Sequence, residues 1–240
     1  MLASKQIKMT QKSGIDILTI DDHPVFRQGI HHLLEDEDGM NPVAEIGSIN
    51  EALHWLASNK ADIVLLDHNL TDINGVDAIP FLLKAQPSLE IIMLTVSDDS
   101  EVFIKAIRNG ACGYVLKDSS PDHIIEAIHA AKLGESRVSD SLVRCLFEDI
   151  SNNVKASNSG QQGGNLLQTN INPSKEVNER QKEILEQLVG GLSNKEIAKV
   201  LQISPNTVRN QLQKLQDVFS ARNRVQLALL AFDAGIGGIR

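Results

Sequence analysis

Cysteine is scarce in this chain: Cys112 and Cys145 are the only two. Two thiols do not make a disulfide framework, so a reducing compartment is the default expectation. Aromatic residues are 3% of the sequence, with one Trp, one Tyr and six Phe, so the core must be aliphatic. No run approaches the roughly 20 consecutive apolar residues that span a bilayer. The N-terminal stretch MLASKQIKMTQKSG is polar and lacks the apolar segment of a signal peptide. Together these absences predict a cytoplasmic protein with no membrane partner.

Basic charge is also in short supply, and unevenly so. The net charge is −8 over 240 residues. Residues 1–150 carry 12 Lys+Arg against 24 Asp+Glu, whereas residues 174–240 carry 10 against 7. An acidic first part and a mildly basic second part predict two domains with different partners, and the basic one fits nucleic acid. Between them, SNNVKASNSGQQGGNLLQTNINP (151–173) is rich in Asn, Ser, Gln and Gly. That composition reads as a flexible linker.

Before the linker, short apolar runs alternate with helical patterns. Ile15–Ile20, Val43–Ile46, Ile63–Leu66, Ile91–Leu94 and Tyr114–Leu116 read as strands. Pro24–Leu34, Asn50–Ser58, Val76–Ala85, Glu101–Asn109 and Pro121–Leu133 read as the helices that follow them. Strands apolar throughout, alternating with amphipathic helices, predict a doubly wound α/β domain with a five-stranded parallel sheet. In such a sheet the ligand site lies beyond the carboxyl ends of the strands.

Those ends carry chemistry. The first strand stops at Asp21 and Asp22, in LTIDDHP. The third stops at Asp67, the fourth at Thr95 and the fifth at Lys117. Three carboxylates brought together repel one another unless a cation sits between them. Hard oxygen ligands with no His or Cys cluster favour Mg2+ or Mn2+, and Mg2+ commonly works with a phosphate oxygen. A carboxylate can itself be the nucleophile that forms an aspartyl phosphate. Asp67, from a central strand, is the candidate. The metal and Lys117 would stabilise charge on the transferring oxygens, and Thr95 would donate to the phosphate once formed.

The stretches IDDHPVFRQG, DIVLLDHNLTDINGVDAI, IIMLTVS and NGACGYVLKD carry a resemblance to the response-regulator receiver domain, a flavodoxin-like fold. The resemblance implies a phosphoacceptor at Asp67 and Mg2+ held by Asp22, Asp67 and the backbone carbonyl of Asn69, with Asp21 reaching the metal through water. It implies that Tyr114 is the aromatic that reports phosphorylation to the outer face. Two departures stand out: many receivers have Pro near Thr71, and His68 follows the acceptor at a position where receivers vary.

After the linker, Asn178 with Gln181 opens a helix whose apolar stripe is Ile184, Leu185, Leu188 and Val189, and Gly190–Gly191 ends it. Ser193 with Glu196 opens a second, short helix through Leu201. Ser204, followed by Pro205, opens a third with Val208, Leu212, Leu215 and Phe219 on one face. A tight turn between the second and third predicts a helix-turn-helix. Asn223 opens a fourth helix whose apolar set (Val225, Leu227, Leu229, Leu230, Phe232) is too broad for one buried face and suggests a dimer contact. The stretches ERQKEILEQLVGGLSNKEIAKVLQISPNTV and ARNRVQLALLA resemble the four-helix DNA-binding domain of the LuxR/FixJ type. Receiver plus this domain is the NarL/FixJ class.

On the third helix, Arg209, Asn210, Gln213 and Lys214 are expected to face double-stranded DNA, where Arg suits guanine and Asn or Gln adenine. Lys195, Asn206 and Thr207 are expected to hold phosphates. Asn210, Gln211, Asp217 and Val218 stand where the family often carries Lys, Arg or His, which predicts a shallow salt dependence.

The expected organisation is a tail (1–14), a receiver (15–135), a helix and linker (136–173) and a helix-turn-helix domain (174–240). The expected function is a DNA-binding transcription factor, homodimeric when phosphorylated, with a histidine kinase as phosphodonor and Mg2+ as cofactor. One alternative is a phosphorylation-dependent protein-interaction switch whose DNA binding has weakened. A second is a phosphatase or phosphotransferase of the aspartyl-phosphate type. Such enzymes often place an acid two residues after the nucleophile, and here that residue is Asn69. The receiver resemblance implies only slow self-phosphorylation and self-hydrolysis, so the chain is not expected to be an enzyme.

Overall fold

The computed structural model describes residues 14–96, 99–133 and 177–237. The expected tail lies outside the described residues except for Gly14, and the expected linker lies wholly outside them. In chain order the first domain runs β1 (Ile15–Ile20), α1 (Pro24–Glu35), β2 (Met40–Ile46), α2 (Ile49–Leu56), β3 (Ile63–Asp67), α3 (Gly75–Ala85), β4 (Glu90–Thr95), α4 (Ser100–Asn109), β5 (Gly113–Leu116) and α5 (Pro121–Lys132). The strands are all parallel in the order β2-β1-β3-β4-β5. The order reverses between β1 and β3, and that switch point brings Asp21, Asp22 and Asp67 side by side.

Strand residues alternate between two cores. Leu18, Ile20, Val64, Leu66, Ile91 and Met93 pack under α2, α3 and α4. Ile15, Ile17, Ile63, Leu65, Ile92 and Leu94 pack under α1 and α5. Burial on both faces is why these strands read as continuous apolar runs. β2 starts earlier than expected, at Met40, and contains Pro42, which an edge strand tolerates because one side of its ladder is unpaired.

The second domain has four helices: α6 (Glu179–Val189), α7 (Asn194–Leu201), α8 (Pro205–Phe219) and α9 (Arg224–Asp233). Both expected capping boxes form, at Asn178/Gln181 and Ser193/Glu196, and the Ser204 side chain accepts from the Thr207 amide. Ile184, Leu188, Ile197, Val208, Leu212, Leu215 and Leu227 make a separate core. Helix α9 is apolar on two sides. Leu227, Ala228 and Ala231 face this core, while Leu229 joins the first domain's core, with Val225 and Phe232 beside it. The breadth of its apolar set therefore has a cover within the chain.

Candidate functional site: an acidic pocket at the switch point

β1 delivers Asp21 and Asp22 to the pocket, β3 delivers Asp67, β4 Thr95, and the residue after β5 is Lys117. Asp21, Asp67 and Thr95 are buried. Lys117 Nζ stands 2.6 Å from Asp21 Oδ2 and 2.8 Å from Asp67 Oδ2, so the ammonium bridges the two buried carboxylates. Its position is set from beneath by the Phe26 ring, 4.5 Å from Nζ to the centroid. The Asp21 Oδ1 accepts the His23 backbone N–H at 2.7 Å, and the Asp21 carbonyl accepts from the Arg27 guanidinium.

Burial is the main cause that raises the Asp67 pKa above its ordinary value. The Lys117 hydrogen bond opposes it, repulsion from Asp21 adds to it, and the Lys117 charge and the Asn69 amide hydrogen bond pull it back. The Asn69 backbone thus already lies against the Asp67 carboxylate. One close approach fixes the loop between them. Gly75 N–H donates to the His68 carbonyl at 2.8 Å, and a Cβ on Gly75 would fall 1.9 Å from the Asp67 carbonyl oxygen. Only glycine fits there.

The donor set suits a cation. Ligand atoms of Asp21, Asp22, His23 and Asp67 lie within 4.8 Å of one another. Two buried carboxylate oxygens, Asp22 Oδ1 and Asp67 Oδ2, have no well-directed hydrogen bond among the described residues. Their close neighbours are the nitrogens of His23, at 2.7 Å, and Lys117, at 2.8 Å. His23 was not among the expected site residues. Its signal was its place directly after the acid pair, which makes it the N-cap residue of α1 and turns its ring over the pocket mouth. His68 instead lies 3.4 Å from the Asn74 side chain, at the other side of the loop. Tyr114 is buried, edge-on to Phe103 of α4 with ring centroids 5.2 Å apart, so it faces inward under α4.

The second site is the outer face of α8. Asn206, Thr207, Arg209, Asn210, Gln213 and Lys214 are all exposed, as is Lys195 on α7. Thr207 Oγ1 is within 2.9 Å of Ser204 Oγ, so it shares in the helix cap. Gln211, beside that face in sequence, is partly buried and accepts from Gln181 Nε2 at 3.2 Å, which ties α8 to α6. Asp217 is exposed. Among the described residues, no helix is long and apolar enough to cross a membrane.

A parallel α/β domain with a lysine-bridged acid pocket, followed by a helix-turn-helix domain, is the architecture of a two-component response regulator. Residues 17–129 match the response regulator receiver domain, and residues 177–231 match the bacterial regulatory proteins of the luxR family. The nitrate/nitrite response regulator protein NarP of Escherichia coli is 33% identical over 222 residues, covering 92% of this chain and 96% of NarP. A LuxR-family two-component response regulator from Aurantimonas sp. SI85-9A1 has a crystal structure that matches 57% of this chain and 98% of its own, at 31% identity and a TM-score of 0.54. RcsB of Salmonella typhimurium, in a structure described for DNA interaction, shares the two-domain fold at 22% identity, with a TM-score of 0.52 over 92% of this chain and 99% of its own. The chain belongs to the NarL/FixJ family of response regulators, with a receiver and a LuxR-type DNA-binding domain.

Proposed function

We propose that this regulator is a transcription factor switched by phosphorylation of Asp67, with a histidine kinase as donor and Mg2+ in the acidic pocket. The observation that carries the reading is the Lys117 ammonium set between Asp67 and Asp21 at 2.8 and 2.6 Å. Asp67 is the nucleophile: its carboxylate oxygen attacks the phosphorus of a phosphohistidine, the P–N bond breaks, and the imidazole leaves with the electron pair and takes up a proton. Lys117 then holds a phosphoryl oxygen and Thr95 donates to another. Asp22, Asp67 and the Asn69 carbonyl would hold the Mg2+, with Asp21 behind them. When bound there, Mg2+ would supply charge neutralisation at the phosphoryl oxygens. Asp22 Oδ1, which has no directed hydrogen bond among the described residues and only the His23 ring beside it, supports this assignment.

Tyr114 is assigned the role of relay between the pocket and α4. Lys195, Asn206, Thr207, Arg209, Asn210, Gln213 and Lys214 are assigned to DNA, with Arg209, Asn210 and Gln213 reading bases. The domain division is the tail 1–14, receiver 15–135, helix and linker 136–173, and DNA-binding domain 174–240. The protein acts in the cytoplasm, as a homodimer once phosphorylated. Asn69 stands two residues after Asp67, where aspartyl-phosphate phosphatases often carry an acid, which argues against that reading; with only slow self-phosphorylation and self-hydrolysis at Asp67, the chain is a regulator rather than an enzyme.

The test has two parts. Acetyl phosphate with Mg2+ adds a phosphoryl group by intact mass to wild type and none to Asp67→Ala. Genomic DNA fragments are then retained selectively, more so with beryllofluoride. Phosphorylation without any selective retention would instead support the interaction switch, for which the exposed Asp217 on α8 is the motive. Turnover of a phosphomonoester many times over would overturn both.

A further inference from the structure

The loop between β3 and α3 carries Asn69, and it is anchored at both ends. Next to the acceptor, the Asn69 amide donates to the Asp67 carboxylate. At the far end, the Gly75 N–H donates to the His68 carbonyl at 2.8 Å, and the Asn74 side chain accepts from the Val76 amide at 2.9 Å. Leu70 and Ile73 pack half-buried on the core beneath. Between them, Thr71 and Asp72 are exposed. Thr71 fixes little: among the described residues its amide donates no hydrogen bond. Asp72 is different. Its Oδ2 accepts from the Asn50 backbone N–H at 3.1 Å and from Asn50 Nδ2 at 3.3 Å, and its Oδ1 accepts from the Ile73 N–H at 3.1 Å. Asn50 is the second residue of α2. A helix leaves its first N–H groups without partners inside it, and a carboxylate is favoured at that end. Ser48 Oγ takes the Glu51 N–H at 3.3 Å, and Asp72 takes that of Asn50, 22 residues before it.

We propose that Asp72 is a positioning residue for phosphoryl transfer: by tying the loop to the first turn of α2, it holds the Asn69 carbonyl where a cation beside Asp67 requires it. The inference rests on the reading of Asp67 and its Mg2+ given above. Among the described residues no hydrogen bond joins Asp72 to the acceptor, so it acts through Leu70 and Thr71, which separate it from Asn69. Mg2+ demands near-ideal octahedral placement of its ligands, so a carbonyl on a loop free to shift serves it poorly. A loop ordered in advance loses no further conformational freedom when the cation binds. Thr71 has no ring to fix the backbone of this stretch, and the Asp72 tie supplies the order from a neighbouring helix instead. Linkage is reciprocal: if the tie favours the cation, the cation must favour the tie by the same factor.

The test uses the full chain and three variants. Asp72→Ala removes both accepting oxygens. Asp72→Asn keeps one accepting oxygen and loses the charge. Asp72→Ala combined with Thr71→Pro stiffens the loop by another route, and the proline removes no hydrogen bond of the Thr71 amide. Mg2+ affinity is measured from amide resonances in a titration without phosphodonor. Exchange of the Asn50 amide is followed with and without Mg2+. Phosphorylation by acetyl phosphate is followed by intact mass at limiting and at saturating Mg2+, and stability by urea unfolding.

The expected result for Asp72→Ala is Mg2+ binding weaker by about 3- to 10-fold, the range one net hydrogen bond spans. Phosphorylation should slow by the same factor at limiting Mg2+ and recover at saturating Mg2+. Asp72→Asn should lie between Asp72→Ala and wild type, and added Thr71→Pro should restore affinity to Asp72→Ala. Mg2+ should slow exchange at Asn50 in wild type and leave it unchanged in Asp72→Ala. Lower stability of Asp72→Ala with unchanged Mg2+ affinity would reduce Asp72 to a helix cap and overturn the proposal, leaving Asp67 as phosphoacceptor. A rate lowered equally at limiting and saturating Mg2+ would overturn it as well. Equal losses of affinity in Asp72→Asn and Asp72→Ala, with no recovery by Thr71→Pro, would assign the effect to the lost charge instead of loop order. A wild type that neither binds Mg2+ nor gains a phosphoryl group at Asp67 would overturn the reading of the pocket and this inference with it.

Discussion

Lys117 Nζ lies 2.8 Å from Asp67 Oδ2, and the same nitrogen reaches Asp21 at 2.6 Å. One cation therefore answers the repulsion between two buried acids. Replacing it by Met keeps the stem over Phe26 and removes the charge. Lys117→Met should cost about 3 kcal/mol at neutral pH, the scale for stripping one partner from a buried ion pair. The cost should shrink as Asp67 protonates, which its raised pKa brings on early during acidification. Urea unfolding near pH 7 and again at acidic pH measures both. Equal stability of variant and wild type at neutral pH would contradict the arrangement.

Asp67→Asn tests the same pocket from the acid's side. Burial raises the folded-state pKa of Asp67 above its unfolded value. A group raised in this way contributes stability below its unfolded pKa and loses it as pH rises through the folded pKa. Wild type should therefore melt below Asp67→Asn at neutral pH without divalent ions, and the gap should close on acidification. Added Mg2+ should narrow the gap at neutral pH by stabilising wild type selectively. Melting curves across pH check the sign, and a gap independent of pH would contradict it.

The pocket was legible in the sequence because its parts sit at strand ends. Asp21, Asp22, Asp67, Thr95 and Lys117 each end an apolar run, and a parallel sheet places such ends on one edge. His23 and Phe26 were not, because an imidazole turned back over the acids and a ring beneath an ammonium depend on how α1 leaves β1. The capping residues of α6 to α9 were legible, since caps are local chemistry. The other side of α9 was not. Its extra apolar residues pointed to a missing cover, but Val225, Leu229 and Phe232 meet a helix more than a hundred residues earlier in the chain, which no local pattern records. Gln211 reads in the sequence only as a departure from the basic residues the family often carries there; that it is partly buried and bonded to Gln181 depends on how α8 packs on α6, again beyond any local pattern.

Gly75 is the position where one methyl group should matter most. Its Cβ would meet the Asp67 carbonyl oxygen, a backbone atom that cannot rotate away. Gly75→Ala should cost at least about 2–3 kcal/mol, at the upper end of overpacking penalties. It should also slow phosphorylation, because the loop carrying Asn69 must shift. Gly29, inside α1, has nothing within 4 Å of its Cβ position. Gly29→Ala should stabilise by up to about 1 kcal/mol through helix propensity. Urea unfolding of the pair separates a steric from a general effect. A mild Gly75→Ala would mean the loop is looser than its geometry.

On the DNA side, Lys214 and Asp217 both lie exposed on α8, with opposite charge. A lysine at a phosphate releases a counterion, so Lys214→Ala should lower the slope of log affinity against log salt by about 1. Asp217→Asn should do the reverse to affinity: removing a carboxylate near phosphates strengthens binding across all sequences, most at low salt. Gln211→Ala should leave the slope unchanged and lower the unfolding free energy by about 1 kcal/mol through the lost bond to Gln181. Anisotropy titrations of a labelled duplex at several salt concentrations separate the three. If Asp217→Asn leaves affinity unchanged at low salt, α8 does not approach the backbone at that turn, and the reading face ends nearer its N-terminus, at Asn206 to Asn210.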